Sequence, residues 1–471
     1  MDATDTESKQ IFPRPAVIKL VLPLIVEQFL AISIGLADSV MVASVGEDAM
    51  SAISVVDSIN ILLINIFAAL ATGGAIIASQ YLGRNDEASA RKAAKQLISA
   101  TFLLSIVIAV LSLCLNEWLL RSIFGRTEES VMRYCVKYFF WSALSYPFIA
   151  VYNGGAAILR SMGNSKSTMF VSVAVNIINV CGNALLIYGF SMGVSGAAIA
   201  SLAARAVGAA AVLLILRDPH KPIYIDSLNG FIPEFCMTKR ILSLGIPTGL
   251  ENGMFQVGKI LVQRLVTLGG TSAIAANAAT GSLANMLLIP ASAIGLALIT
   301  INGQCVGAGE YRQAKNHTKK LMICSYISIA ALAFICIIFM GPLLTLYNLK
   351  PDTTILTKQL LTTYCIASSL MWPMAFVLPN TLRAAGDVKF TMRVSVFSMW
   401  IFRIGFAYLF VYIFNLGTLS VWLAMYCDWV VRSSFFLPRI LGTKWMSHRV
   451  IEEQKDDKEQ HETDIIKTAI K

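Results

Sequence analysis

Charge is what this 471-residue chain has least of: Asp, Glu, Lys and Arg together make up 14% of it, against 56% for the hydrophobic types. A soluble domain carries about a quarter charged residues, so a water-exposed globule is excluded. Histidine is nearly missing, at four residues, and no H-E-x-x-H pair, nucleophile elbow or pair of catalytic acids occurs; this argues against an integral membrane enzyme. Without a G-x-x-x-x-G-K-[ST] run, work done on a solute must draw on an ion gradient rather than on bound ATP. The nine cysteines are scattered with no C-x-x-C spacing, which disfavours a disulfide frame or metal centre and leaves small packed hydrophobes. No cleavable signal is evident, since the chain starts acidic and polar and its first apolar run is too long for a signal core.

What is abundant is apolar sequence in long runs. Twelve spans fit, near 16–44, 50–79, 96–120, 135–159, 167–190 and 194–217, then 240–268, 273–303, 319–346, 357–382, 390–414 and 418–442. Several exceed the ~20 residues a bilayer requires, so they tilt, kink or protrude. Alternating ten-residue strands are absent, which disfavours a β-barrel. The expectation is an all-α integral membrane protein. It has an N-terminal segment 1–15, a first lobe 16–217, a polar linker 218–239 with Pro219, Pro222 and Pro233, a second lobe 240–446 and a charged tail 447–471. Basic residues gather in alternate loops (Arg84, Arg91, Lys92 and Lys95, then Arg160 and Lys166, and so on). The tally is roughly 17 against roughly 5, which places the basic loops and both termini in the cytoplasm of a multi-pass cell-membrane protein. The net charge of +10 is accounted for by these loops and calls for no nucleic acid.

The two halves are copies. Pro23, Glu27, Gly46, Ala49, Gln80, Gly83 and Ala90 recur 224 positions later as Pro247, Glu251, Gly270, Ala273, Gln304, Gly307 and Ala314. One residue out of step, Leu159, Arg160, Gly163, Lys166 and Thr168 recur as Leu382, Arg383, Gly386, Lys389 and Thr391. Each copy holds six spans, an even number, so both start from the same side and are related by an axis along the membrane normal. That predicts two pseudo-symmetric six-helix lobes around a central cavity, the architecture of a transporter.

Ionisable residues inside spans are functional candidates because burying them is costly. Glu27 and Asp38 lie eleven residues apart on one stripe of the first span, about 16 Å along its axis. Asp38, whose counterpart is Val262, reads as a proton or cation site, Na⁺ included; the alternative is an acid that caps a neighbouring element. Glu27 recurs as Glu251, with Asn252 beside it, so this pair does the same job in both halves, either bracing or gating. Asn179 and Asn183 share a face of the fifth span, where they either orient a carboxylate or coordinate an ion, or bond between helices for about 1 kcal/mol per contact. In the second half Glu251, Lys259, Arg403 and Asp428, with Arg432 one turn from Asp428, form a polar network that acts as a gate, a substrate contact or a brace. Tyr138, Trp141, Tyr146 and Tyr152, with Tyr364, Trp372 and Phe376, either pack or offer π faces to organic cations.

Ser79-Gln80-Tyr81-Leu82-Gly83, repeated as Gly303-Gln304-Cys305-Val306-Gly307, resembles the paired loop signature of the multidrug and toxic compound extrusion (MATE) family. Pro23 to Met41 and Leu159-Arg160-Ser161-Met162-Gly163 are similar to it as well, and the resemblance spans roughly 14–445. It implies an antiporter that exports organic, cationic, multidrug-type compounds in exchange for H⁺ or Na⁺, with no cofactor, working as a monomer. Asp38 falls on the family's first-span acid, tied to cation coupling, and Asn179 and Asn183 on its fifth-span polar pair. One branch has Asp where Asn183 stands, so here Asp38 carries the charge with amide support. Lipid-linked precursor flippases or polysaccharide exporters share the two-lobe fold and are the alternative. Such cavities are expected to show several cations in the first lobe, where this chain offers little beyond Arg205.

Overall fold

The computed structural model describes residues 10–125, 128–226, 233–414 and 417–451. These form twelve long helical segments and, among the described residues, no strand. The first lobe holds α1 (Arg14–Ala43), α2 (Glu47–Gly83), α3 (Glu87–Cys114), α4 (Glu129–Ser161), α5 (Ser165–Gly189) and α6 (Gly193–Ile215). The second holds α7 (Phe235–Thr267), α8 (270–307), α9 (Tyr311–Ile338), α10 (Pro351–Ala384), α11 (Val388–Tyr412) and α12 (Leu419–Leu441). Helix α8 breaks at Leu288, just before Pro290, which has no N–H to continue the ladder. Nine helices among the described residues are long and apolar enough to cross a membrane. The three that fall short, α4, α7 and α12, carry polar and charged side chains within their spans, among them Asn153, Glu251, Lys259 and Asp428.

Loop residues set the helix starts. The Asp86 carboxylate accepts from the Ser89 amide at 3.0 Å and caps α3, and Asn164 accepts from the Ser167 amide at 3.2 Å and caps α5. Both satisfy amides that have no helical partner. The chain turns ahead of α5 and α11 at Gly163 (φ 77°) and Gly386 (φ 98°), equivalent positions in the repeat. This left-handed backbone is why glycine recurs there.

The lobes meet along α1, α2, α7 and α8. At mid-seam the backbones of Gly73 and Gly245 touch, and a Cβ on Gly73 would come within 2.8 Å of the Gly245 nitrogen. At the end carrying the basic loops, the repeated Gln-x-x-Gly segments cross each other reciprocally. A Cβ on Gly83 would strike the Gln304 carbonyl, and one on Gly307 the Gln80 carbonyl. Gln80 Nε2 donates to the Ala384 carbonyl at 2.8 Å, and Gln304 Nε2 to the equivalent Ser161 carbonyl at 2.7 Å. The paired motif is thus the closure of the basic end, made twice by symmetry. Toward the other end of α1 and α7, Val40 is 72% and Ile260 67% exposed.

Two expected boundaries shift. Helix α7 begins at Phe235 rather than 240, while residues 218–226 lie against the first lobe: Ile223 and Ile225 are buried, and the Arg91 guanidinium sits 4.3 Å from the Tyr224 ring centroid. The Asp218 carboxyl is held below the usual carboxylate range by its bond from Lys221 and by the His220 amide. Residues 227–232 of the linker lie outside the described residues, as do 1–9 and 452–471. The start of the expected tail, up to residue 451, is anchored. Ile451 is buried, the Val450 amide donates to Gln80 Oε1 at 3.0 Å, and Arg449 donates to the Gly307 carbonyl.

Candidate functional site

In the first lobe, α1 and α5 bring Asp38, Asn179 and Asn183 together. Asn183 Nδ2 donates to Asp38 Oδ1 at 2.5 Å and lies 3.2 Å from Asn179 Oδ1. Asn179 Nδ2 in turn donates to Ser201 Oγ on α6 at 3.0 Å. Both amides are buried, Asp38 is half-buried, and Asn183 Oδ1 is a buried acceptor with no hydrogen-bond partner among the described residues. A carboxylate beside an unpaired amide carbonyl is an acceptor set suited to a proton or a small hard cation. Directly after Asn183, α5 widens into a π turn over Ala184–Gly189, a departure that recurs at functional positions in helices.

Sequence reasoning overlooked a second carboxylate. Asp57 on α2 accepts from Asn60 Nδ2 at 3.1 Å and from the Tyr138 hydroxyl at 3.4 Å. Tyr146 donates to Asn60 Oδ1 at 2.9 Å, and Arg205 NH1 to Ser145 Oγ at 2.6 Å. Asp57 and Arg205 are the charged groups that act on Asp38 through space. Ser39 and Asp57 line a crevice of about 320 Å³ between α1 and α2, toward the end opposite the basic loops. The site therefore holds two acids, and Asp38 is not supported by amides alone. The signal was present: Asp57 stands opposite Gly281 in the repeat and Asn60 opposite Ala284, the same broken symmetry that marks Asp38 against Val262.

Glu27 and Glu251 occupy equivalent ion pairs. Arg160 NH1 meets Glu27 Oε1 at 2.8 Å, with Thr168 donating to Oε2 at 2.8 Å; Arg383 NH2 meets Glu251 Oε1 at 2.7 Å. All four charges come from repeated positions. Each pair ties the base of the lobe's first helix to its fourth, which is the geometry of a brace. Glu251 Oε2 and Arg383 Nε are buried without partners.

The second-lobe charges gather around one acid. Asp428 Oδ1 accepts from Arg432 Nε at 2.9 Å and from Ser398 Oγ at 2.6 Å, and Arg403 approaches Oδ2 only to 3.8 Å. Arg403 lies in a π turn over Met399–Gly405, which sits ahead of the position equivalent to Asn183, whereas the π turn of α5 follows it. Lys259 and Asn252 take no hydrogen bond among the described residues. Lys259 and Arg403 face Phe255 from 5.0 and 5.1 Å, and Arg432 faces Phe376 at 5.0 Å. Lys259, Phe255, Arg403 and Phe376, with Trp372, Trp422 and Trp429, wall a cavity of about 480 Å³, which Arg432 does not line. Among the described residues no cluster of three or more His, Cys, Asp or Glu could hold a metal ion.

The MatE family profile matches residues 23–185 and again 247–409, two copies that reproduce the 224-residue offset and cover more than half of the chain. The chain belongs to the MatE family. The transporter YisQ of Bacillus subtilis strain 168, itself uncharacterised, is 27% identical over 91% of this chain and 94% of its own length. A probable multidrug resistance protein, NorM of Thermotoga maritima, is 25% identical over 94% of this chain and 95% of its own. The solved outward-facing structure of a multidrug resistance MATE transporter superposes with a TM-score of 0.86 at 19% identity, covering 94% and 99% of the two chains.

MatE membership makes this a multi-pass membrane transporter of small molecules rather than an enzyme. It also assigns the all-α, twelve-helix fold in two lobes. Within that fold the paired Gln-x-x-Gly segments and the Glu–Arg pairs are shared by both MatE copies, whereas the Asp38–Asp57 cluster is confined to the first and the Lys259–Arg403–Asp428 cluster to the second.

Proposed function

We propose that the protein is a secondary active antiporter of the cell membrane, exporting organic compounds in exchange for H⁺ or Na⁺ bound at Asp38. The basic end is read as the cytoplasmic face, with both termini inside, and a monomer suffices. On this reading the described state is sealed at the cytoplasmic seam and open outside. An ion arriving along the Ser39–Asp57 crevice neutralises Asp38 and weakens the charge-assisted bond from Asn183. The π turn after Asn183 is where α5 can then adjust its packing against α1. Substrate and ion favour different arrangements of the lobe, so that binding of one promotes release of the other.

The observation that carries this reading is the 2.5 Å bond from Asn183 to Asp38, with the Asn183 carbonyl left unpaired beside it. The test is dye efflux from energised vesicles under a Na⁺ gradient and a pH gradient imposed separately. Wild type should respond to one of them and Asp38→Asn to neither. Normal export by Asp38→Asn under both gradients would sink the assignment.

A specific observation keeps the lipid-linked or polysaccharide exporter as a second reading. Clustered cations are present, but in the second lobe rather than the first.

A further inference from the structure

We infer that the second-lobe cavity is a binding site for an anionic group, a phosphate, sulfonate or carboxylate, carried on an aromatic or apolar body. The inference deepens the proposed transport function by naming the substrate chemistry of one lobe, and so rests on that reading.

Charge is the first argument. Lys259, Arg403 and Arg432 all face the Phe255 ring, and the one carboxylate paired with any of them, Asp428, has its Oδ1 already shared by Arg432 and Ser398. Two positive charges are therefore unmatched among these groups. An uncompensated charge in an apolar wall is costly, so such side chains persist where a counter-charge visits.

Unused donors are the second argument. Arg403 Nε, Trp422 Nε1 and Trp429 Nε1 are buried with no acceptor, and their residues are 9%, 6% and 2% exposed. All three residues wall the cavity, and Lys259 lines it with no ion pair. N–H donors left without an acceptor among the described residues are matched by an oxyanion. They have nothing to offer a cation.

The aromatic faces close the argument. Rings of this kind would suit an organic cation, the expectation drawn from sequence. Here the protein's own cations already occupy two of these rings: Lys259 and Arg403 face Phe255, and Arg432 faces Phe376. What remains is ring surface for apolar contact with the body of the ligand, within a volume of about 480 Å³ that suits a drug-sized molecule.

The test is equilibrium binding of 2-naphthyl phosphate and of N-methylquinolinium, rings of similar size and opposite charge, to the full-length protein in phosphatidylcholine discs. Wild type should bind the phosphate at least tenfold more tightly, with affinity falling as salt rises. Lys259→Gln, which breaks no ion pair and leaves the fold intact, should weaken phosphate binding about tenfold. Arg403→Gln should do the same and Arg403→Lys should recover part of it, while neither changes quinolinium binding. Polyisoprenyl phosphate added to the discs separates two sources of the same chemistry: competition assigns a lipid-borne anion, and undisturbed phosphate binding a free one. Equal binding of the two probes, or phosphate binding unaffected by both Lys259→Gln and Arg403→Gln, would overturn the inference. Because no gradient is present, failure here is distinct from failure of gradient-driven export.

Discussion

Replacing Gly83 by alanine tests the seam at its tightest point. The new Cβ would collide with the Gln304 carbonyl, a backbone atom that cannot rotate aside, and the collision exists only while the two lobes are closed at this end. Overpacking of this kind costs about 1–3 kcal/mol. At about 1.4 kcal/mol per factor of ten, the closed arrangement should lose roughly 5- to 150-fold in population against the open one. Gly307→Ala should do the same, because its Cβ meets the Gln80 carbonyl in the mirror contact. Gly281→Ala is the control, with no atom within 4 Å of its added Cβ. Amide hydrogen exchange reads local opening directly: exchange should accelerate at residues 80–86 and 304–310 in both seam variants and stay at the wild-type rate in the control. If Gly83→Ala exchanged like Gly281→Ala, the reciprocal crossing would not hold the basic end shut.

Other expectations follow from the same contacts. Glu251→Gln leaves Arg383 buried without a carboxylate and should cost about 3–5 kcal/mol, seen as a lowered thermal unfolding midpoint in lipid discs; an unchanged midpoint would remove the brace. Arg383→Met added to that variant should recover part of the loss. Asn183→Ala removes one charge-assisted bond to Asp38, worth about 1.5–3 kcal/mol, so the ion concentration needed for half-maximal dye efflux should shift by an order of magnitude or more. Asp57→Asn should also weaken the ion dependence of efflux, and a wild-type ion titration would show Asp57 to be a bystander.

The architecture was legible because the repeat is written in Pro, Gly and charged residues, which apolar composition does not supply. Six spans per copy then set the parity of the lobes. What the repeated residues do was not legible: Gln80 and Gly307 are neighbours only because the copies cross head to head, and Glu27 and Arg160 lie 133 positions apart. Asp38 and Asn183 could be named singly from their faces, but their bond depends on how α1 packs on α5. Asp57 lies on α2, off the first-span stripe that carries Glu27 and Asp38, although its opposition to Gly281 marks it by the same rule. The aromatic spans suggested cation binding, and the packing of Lys259 and Arg403 onto Phe255 and of Arg432 onto Phe376, which underlies the inference of an anionic ligand, was not legible in the sequence.

The central claim is that Asp38 takes up and releases the coupling ion, and infrared difference spectroscopy of the purified protein in lipid discs tests it without any substrate. A step in pH or in Na⁺ should produce a carboxyl signal in wild type that disappears in Asp38→Asn and changes in Asn183→Ala. The same signal at full strength in Asp38→Asn would contradict the account.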